Sequence, residues 1–131
     1  MTFVDLEKAY DKVPRDKLWE CLREYNLSEE LLRAIQALLY KRSRSCVRIS
    51  GCKSESFDVT TGLRQGCILS PLLFIIFMDR ISRRCTGPGV KLGNVEISKL
   101  FFADDLVLLV STAEDLQRLL DKFVTECYRR S

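Results

Sequence analysis

The clearest periodic signal lies near the C-terminus. Leu116, Leu119, Leu120, Phe123, Val124 and Cys127 fall at i, i+3, i+4, i+7, i+8 and i+11, the spacing of one face of an α-helix. Thr112 with Asp115 gives that helix a capping-box start. Just upstream, Leu100-Phe101-Phe102-Ala103 and Leu106 to Val110 are two apolar runs separated only by Asp104-Asp105. They predict a tight β-hairpin with two carboxylates at its tip. Because both runs are apolar without alternation, they also predict strands buried on both sides. A short apolar strand opens the chain at Thr2-Phe3-Val4 and leads into Asp5.

Between these ends, Pro14 suits the first turn of a helix carrying Leu18, Trp19, Leu22 and Tyr25. Ser28 reads as the N-cap of a second helix, with Glu29 and Glu30 at its positive end and an apolar face of Leu31, Ile35, Leu38 and Leu39. Residues 45–50 alternate, with Val47 and Ile49 on one face. Gly51-Cys52-Lys53 is expected as a turn and 55–61 as the returning strand. A loop follows over 62–70, and Ser70-Pro71 starts a long helix ending at Arg84 or Cys85. Its run from Leu72 to Met78 is the longest apolar stretch. It falls far short of the roughly 20 residues that span a bilayer, so it is expected as a buried helical turn and no membrane partner is expected. Gly87, Pro88, Gly89 and Gly93 mark turns around a short strand. The order β, α, α, β, β, α, β, β, α predicts an α+β fold, an antiparallel sheet with helices packed on one face.

Composition narrows the class. A chain of 131 residues that is 47% hydrophobic, with few Gly or Pro, is expected to form one domain at most with a modest core, which argues against a disordered chain. The net charge of +3 permits an acidic partner. The cations cluster at Lys41, Arg42 and Arg44, at Arg80, Arg83 and Arg84, and at Arg129 and Arg130. The plain reading is solvated helix ends, and the sharper one is phosphate binding. Cys21, Cys46, Cys52, Cys67, Cys85 and Cys127 form no C-x-x-C pair, and there is no histidine, which argues against zinc. With no signal peptide, they are expected as reduced thiols filling the core of an intracellular protein, nuclear or cytoplasmic.

Asp104-Asp105 alone is a common turn pair, and Asp5 alone merely ends a strand. Taken together they suggest more. Two carboxylate-tipped strands lying side by side would converge their oxygens on hard cations. A two-metal phosphoryl-transfer site needs carboxylates bridging ions about 3.5–4 Å apart.

Three motifs in order make a resemblance specific. Phe3-Val4-Asp5-Leu6-Glu7-Lys8-Ala9-Tyr10-Asp11-Lys12-Val13 resembles the first catalytic motif of reverse transcriptases of the non-LTR retrotransposon kind. Gly62-Leu63-Arg64-Gln65-Gly66-Cys67-Ile68-Leu69-Ser70-Pro71 resembles their second, and Phe102-Ala103-Asp104-Asp105 their third. The resemblance implies a polymerase palm and two-metal transfer of dNTPs to a primer 3′-hydroxyl on an RNA template. Two Mg²⁺ or Mn²⁺ ions would be held by Asp5 and Asp104 as main ligands, with Asp105 completing the pair and the Leu6 carbonyl adding a ligand. Tyr10 would pack under the incoming sugar and exclude a 2′-hydroxyl. Backbone N–H groups near Lys8 and Ala9 would face the triphosphate. Gln65 and Gly66 would lie against the nascent base pair and template, and Arg64 would contact phosphate or form a surface ion pair.

Viral RNA-dependent RNA polymerases share the carboxylates, but their Ser-Gly-rich middle motif is missing here. A metal nuclease leaves Arg64-Gln65-Gly66 unexplained. The rival from another class is a catalytically inactive, retrotransposon-derived remnant serving as a nucleic-acid or protein interaction scaffold. It is motivated by the expectation that residues 1–131 are a partial palm domain, without the family's fingers upstream and thumb downstream unless a partner chain supplies them.

Overall fold

The computed structural model describes residues 1–40 and 43–128, apart from the side chains of Leu38, Leu39 and Tyr128. Lys41, Arg42, Arg129 and Arg130, members of two basic clusters, lie outside the described residues. So do the side chains of Leu38 and Leu39, expected on the face of the second helix. The elements run in the order β1 (Thr2–Asp5), α1 (Arg15–Glu24), α2 (Glu29–Ile35), a π-helical turn (Gln36–Tyr40), β2 (Arg44–Ser45), β3 (Arg48–Ile49), β4 (Cys52–Lys53), β5 (Phe57–Asp58), α3 (Ser70–Arg84), β6 (Val90–Leu92), β7 (Val95–Ile97), β8 (Lys99–Phe102), β9 (Asp105–Leu108) and α4 (Ala113–Tyr128). This is an α+β chain with small antiparallel sheets. It forms two compact units, Met1–Ala9 with Ile75–Ser131, and Tyr10–Phe74.

In the first unit β1, β9 and β8 make an antiparallel sheet in that order. Val4 pairs with Leu106 and Phe101 with Leu106, so one face carries Val4, Leu106, Leu108 and Phe101. Leu106 and Leu108 are buried. α4 contacts β9, and the Phe123 ring lies 6.3 Å from that of Phe101. Leu119 and Phe123 are buried at the centre of the predicted face, while Val124 is exposed at its edge. Burying each such side chain is worth about 1.5–3 kcal/mol. The capping box forms as expected: the Asp115 N–H donates to Thr112 Oγ1 at 3.1 Å, and that hydroxyl donates to the Asp115 carboxylate at 2.8 Å. Lys99 Nζ donates to the Ser82 and Cys85 carbonyls at the C-terminal end of α3, where a cation suits the helix dipole. Burial pulls that ammonium below its usual range.

Two expectations need correction here. The strands flanking Asp104-Asp105 are buried on one face only, because α4 covers one side of the sheet. Phe3, Leu100 and Phe102 project from the other side, and Phe102 is 81% exposed. The expected short strand near Gly93 is a hairpin of two, with Leu92 paired to Val95 around Gly93 at φ +62°.

In the second unit α1 buries Leu18, Cys21 and Leu22, while Tyr25 is its exposed C-cap. Ser28 caps α2, its hydroxyl accepting the Leu31 N–H at 3.3 Å. The buried residue of α2 is Leu32, whereas Leu31 is exposed. The π-helical turn breaks the 3.6-residue phase on which the Leu31–Ile35–Leu38–Leu39 face depended. The hairpin exists as two short ladders, β2 with β5 and β3 with β4. Its turn is Ser50-Gly51, both at positive φ as a type I′ turn requires, so Cys52 and Lys53 are strand rather than turn. α3, of which Ser70–Phe74 belong to the second unit and Ile75–Arg84 to the first, is amphipathic rather than wholly buried over its apolar run: Leu73, Phe74, Phe77 and Met78 are buried, and Leu72 and Ile75 exposed.

All six cysteines are free. Cys21 and Cys85 fill core space, but Cys46 and Cys52 are exposed on the hairpin, against the expectation for all six. Burial, reinforced by Cys85 and Glu126, pushes the Cys127 thiol from 9.0 up to about 12. The folded chain therefore holds this proton where the unfolded chain releases it. That contribution to stability is complete below pH 9.0 and is lost as pH rises towards about 12. Native alkylation at pH 8.5 is expected to label the exposed Cys46 and Cys52 quickly and the half-buried Cys127 far more slowly than in the unfolded chain, which peptide mass spectrometry reads directly.

Candidate active site

Asp5 and Asp105 are direct register partners across β1 and β9. Cross-strand partners share a face, with Cβ atoms about 4.5–5.5 Å apart. Alternation from Val4 and Leu106, which face inward, turns both carboxylates to the open face. Phe102 flanks Asp105 from the other strand, and Phe3, Val107 and Leu100 form the next row. The carboxylates thus sit at the end of an exposed apolar strip. Asp104 is not opposite Asp5. It occupies the two-residue turn with Ala103 between Phe102 and Asp105. Among the described residues no group of three or more His, Cys, Asp or Glu side chains is gathered closely enough to hold a metal ion. The pair Asp5 and Asp105, with Asp104 next in chain, is an all-oxygen donor set of the type hard cations take.

Backbone strain flanks the pair. Ala103 has φ +53°, the first-position geometry of a type II′ turn that Gly normally supplies. Lys8, three residues after Asp5, has φ +54°. The Ala9 N–H donates to the Leu6 carbonyl at 3.1 Å, so these two backbone groups, expected to serve triphosphate and metal, bond to each other. The carbonyl retains a second lone pair.

The remaining candidates lie in the second unit. Tyr10 stacks on Phe74 with ring centroids 4.7 Å apart and planes 16° from parallel. Gln65 and Gly66 are exposed at the tip of the loop before α3. Gln65 Nε2 donates to Asp11 Oδ1 at 3.1 Å. Gly66 has φ +77° with open space around it. Arg64 is exposed, and its carbonyl accepts from the buried Ser70 hydroxyl at 2.6 Å. The loop is sewn to the segment after Tyr10: the Gly62 N–H donates to Val13 at 2.9 Å and the Leu63 N–H to Tyr10 at 2.8 Å.

Arg15 lies outside the three motifs, and Asp11 lies inside the first without an expected role. Arg15 donates through Nε to the Gly62 carbonyl at 2.9 Å and through Nη1 to the Val59 carbonyl, with its guanidinium 4.7 Å above the Tyr40 ring. The available signal was its sign, since a cation at the first residue of a helix opposes the dipole. Burial pulls its pKa down.

Residues 1–130 match the family Reverse transcriptase (RNA-dependent DNA polymerase), and the chain belongs to it. It is similar to the Retrovirus-related Pol polyprotein from type-2 retrotransposable element R2DM of Drosophila melanogaster, at 36% identity over 91% of this chain and 11% of that protein. It is equally similar, at 36% over 93% of this chain and 12% of the other, to the Pol polyprotein from type-1 retrotransposable element R2 of Nasonia vitripennis. The RNA-directed DNA polymerase from mobile element jockey of Drosophila funebris matches at 30% over 92% and 13%. The chain thus spans about a tenth of the length of the curated relatives it matches. The non-LTR kinship read from the three motifs is the kinship found.

Gly62 tests how tightly the loop is sewn. Its φ is +81°, and a Cβ there would lie 2.7 Å from the Asp11 carbonyl oxygen. Gly62→Ala is expected to cost at least about 1–3 kcal/mol through backbone strain alone. Urea unfolding of the two proteins measures the difference.

Proposed function

We propose that this chain is the palm segment of an RNA-directed DNA polymerase, in which Asp5, Asp104 and Asp105 hold two divalent cations, Mg²⁺ or Mn²⁺. The observation that carries the reading is the register of Asp5 against Asp105 in a chain of the reverse transcriptase family. When bound, such ions activate a primer 3′-hydroxyl and stabilise charge at the phosphorus under attack. The facing carboxylates supply negative charge whose mutual repulsion a cation relieves. The Leu6 carbonyl adds a ligand through its free lone pair. With the Ala9 N–H engaged at Leu6, the triphosphate contact falls to the Lys8 amide.

Tyr10, backed by Phe74, selects a deoxyribose by leaving no room for a 2′-hydroxyl. Gln65 and Gly66 meet the nascent base pair and template, and Arg64 meets phosphate. RNA template, DNA primer and dNTPs are the partners, which sets the work inside the cell. Fingers and thumb elements, from the same polypeptide or a partner chain, grip triphosphate and duplex through many phosphate contacts. No observation favours the rival reading of an inactive scaffold.

Calorimetric titration with Mg²⁺ or Mn²⁺ tests the ligands. The wild type is expected to give a saturable heat that Asp104→Asn loses, and equal heats from both would overturn the assignment. Primer extension on an RNA template with dNTPs tests the reaction. In the intact protein Asp5→Ala is expected to lower the rate by at least about a thousandfold, the scale of losing a principal charge-stabilising element. Extension at the wild-type rate would refute the role of Asp5.

A further inference from the structure

We infer that Arg15 is a positioning residue for the incoming nucleotide: it fixes the Arg64-Gln65-Gly66 loop by clamping the Val59 and Gly62 carbonyls. The inference rests on the polymerase reading above. Helix formation does not explain an arginine here. It is the first residue of α1, directly after the N-cap Pro14, where the helix dipole repels a cation. What holds it is tertiary. Its planar fork reaches two carbonyls 44 and 47 residues away in sequence, and its flat face rests on Tyr40. A guanidinium can satisfy two fixed carbonyls and a ring together, whereas an ammonium is a point donor.

The clamped carbonyls flank the start of the loop. Gly62 is bonded on both sides, its carbonyl to Arg15 and its N–H to Val13. Leu63 follows, bonded to Tyr10, and then Gln65, bonded to Asp11. Val59, Gly62, Leu63 and Gln65 are therefore laced to residues 10–15, and Arg15 is the charged end of the lacing. Beyond it the exposed tip is a turn closed by the Cys67 N–H on the Arg64 carbonyl, which the Ser70 hydroxyl holds from the α3 side, so the lacing is the anchor on the other side. Releasing the Arg15 end lets Gln65 and Gly66 drift from the base pair they meet. Because Gln65 and Gly66 meet the base pair rather than the reacting atoms, the loss should fall on nucleotide binding.

The test uses the intact protein with dNTP-dependent primer extension and hydrogen exchange at residues 62–66. Arg15→Gln is expected to raise KM for dNTP about tenfold with kcat within about twofold, the pattern of lost binding rather than lost active fraction. Arg15→Lys should recover part of KM, and exchange at the Gly62 and Leu63 amides should quicken in Arg15→Gln. A lower kcat at unchanged KM, or unchanged KM in a folded Arg15→Gln, overturns the inference. If Arg15→Gln fails to fold, Asp11→Ala at the exposed end of the lacing decides: KM should rise, and an unchanged KM overturns the inference. A wild type that extends no primer sinks the polymerase reading instead. The clamp then stands or falls on the exchange rates alone, with unchanged exchange refuting it.

Discussion

Leu106 and Leu108 lie on the face of β9 that α4 covers, with Phe101 and Phe123 closing the space beside them. Period-two alternation then leaves Asp105 and Val107 no choice but the open face, and the same rule applied to Val4 turns Asp5 outward. A one-residue slip would reverse every assignment. It would expose two leucines worth about 1.5–3 kcal/mol each. It would also bury a carboxylate at a penalty of several kcal/mol. Against this, facing like charges in the observed register cost only about 0.2–1 kcal/mol. Core packing therefore decides where the carboxylates stand, and their mutual repulsion is too small to contest it.

Two of the four left-handed non-glycine residues among the described residues stand beside those carboxylates, the others being Asn26 and Ser50. Lys8 and Ala103 both adopt left-handed backbone without being glycine, and each such residue costs on the order of 1–2 kcal/mol. Ala103 does so in the turn that brings Asp104 next to Asp105, and Lys8 in the turn just after Asp5. Strain and charge repulsion thus coincide on the open side of a sheet whose other face is well packed.

Where one local force dominates, the sequence predicted the structure well. The α4 face, its capping box and the Ser28 cap are all local and all form. The hairpin bearing the aspartates forms too, but its apolar runs do not reveal that only one side is covered. Coverage depends on where α4 packs, and no residue in β8 or β9 encodes that alone. Within α2 it is Leu32, not Leu31, that is buried, because which side of a short helix is covered depends on what packs against it rather than on its own apolar spacing. Cys46 and Cys52 were misjudged because small apolar residues carry no sign of whether a two-stranded ladder is covered. The motifs singled out Asp5, Asp104 and Asp105, and only the register shows that Asp105, not Asp104, faces Asp5.

Arg15 marks the same limit from the other side. In the sequence it is one arginine among many, placed where helix electrostatics disfavours it by about 0.3–1 kcal/mol. In the fold it makes two hydrogen bonds from a charged donor, each worth about 1.5–3 kcal/mol, and those bonds outweigh the local penalty. A residue that opposes its own helix and is held by distant carbonyls belongs to the second unit as a whole. Its carbonyl partners lie 44 and 47 residues away, at the root of the loop that ends in Gln65 and Gly66. Local disfavour together with long-range satisfaction is therefore the physical mark that separates Arg15 from the solvated arginines at helix ends, such as Arg83, whose partner Asp79 is one turn away on the same helix.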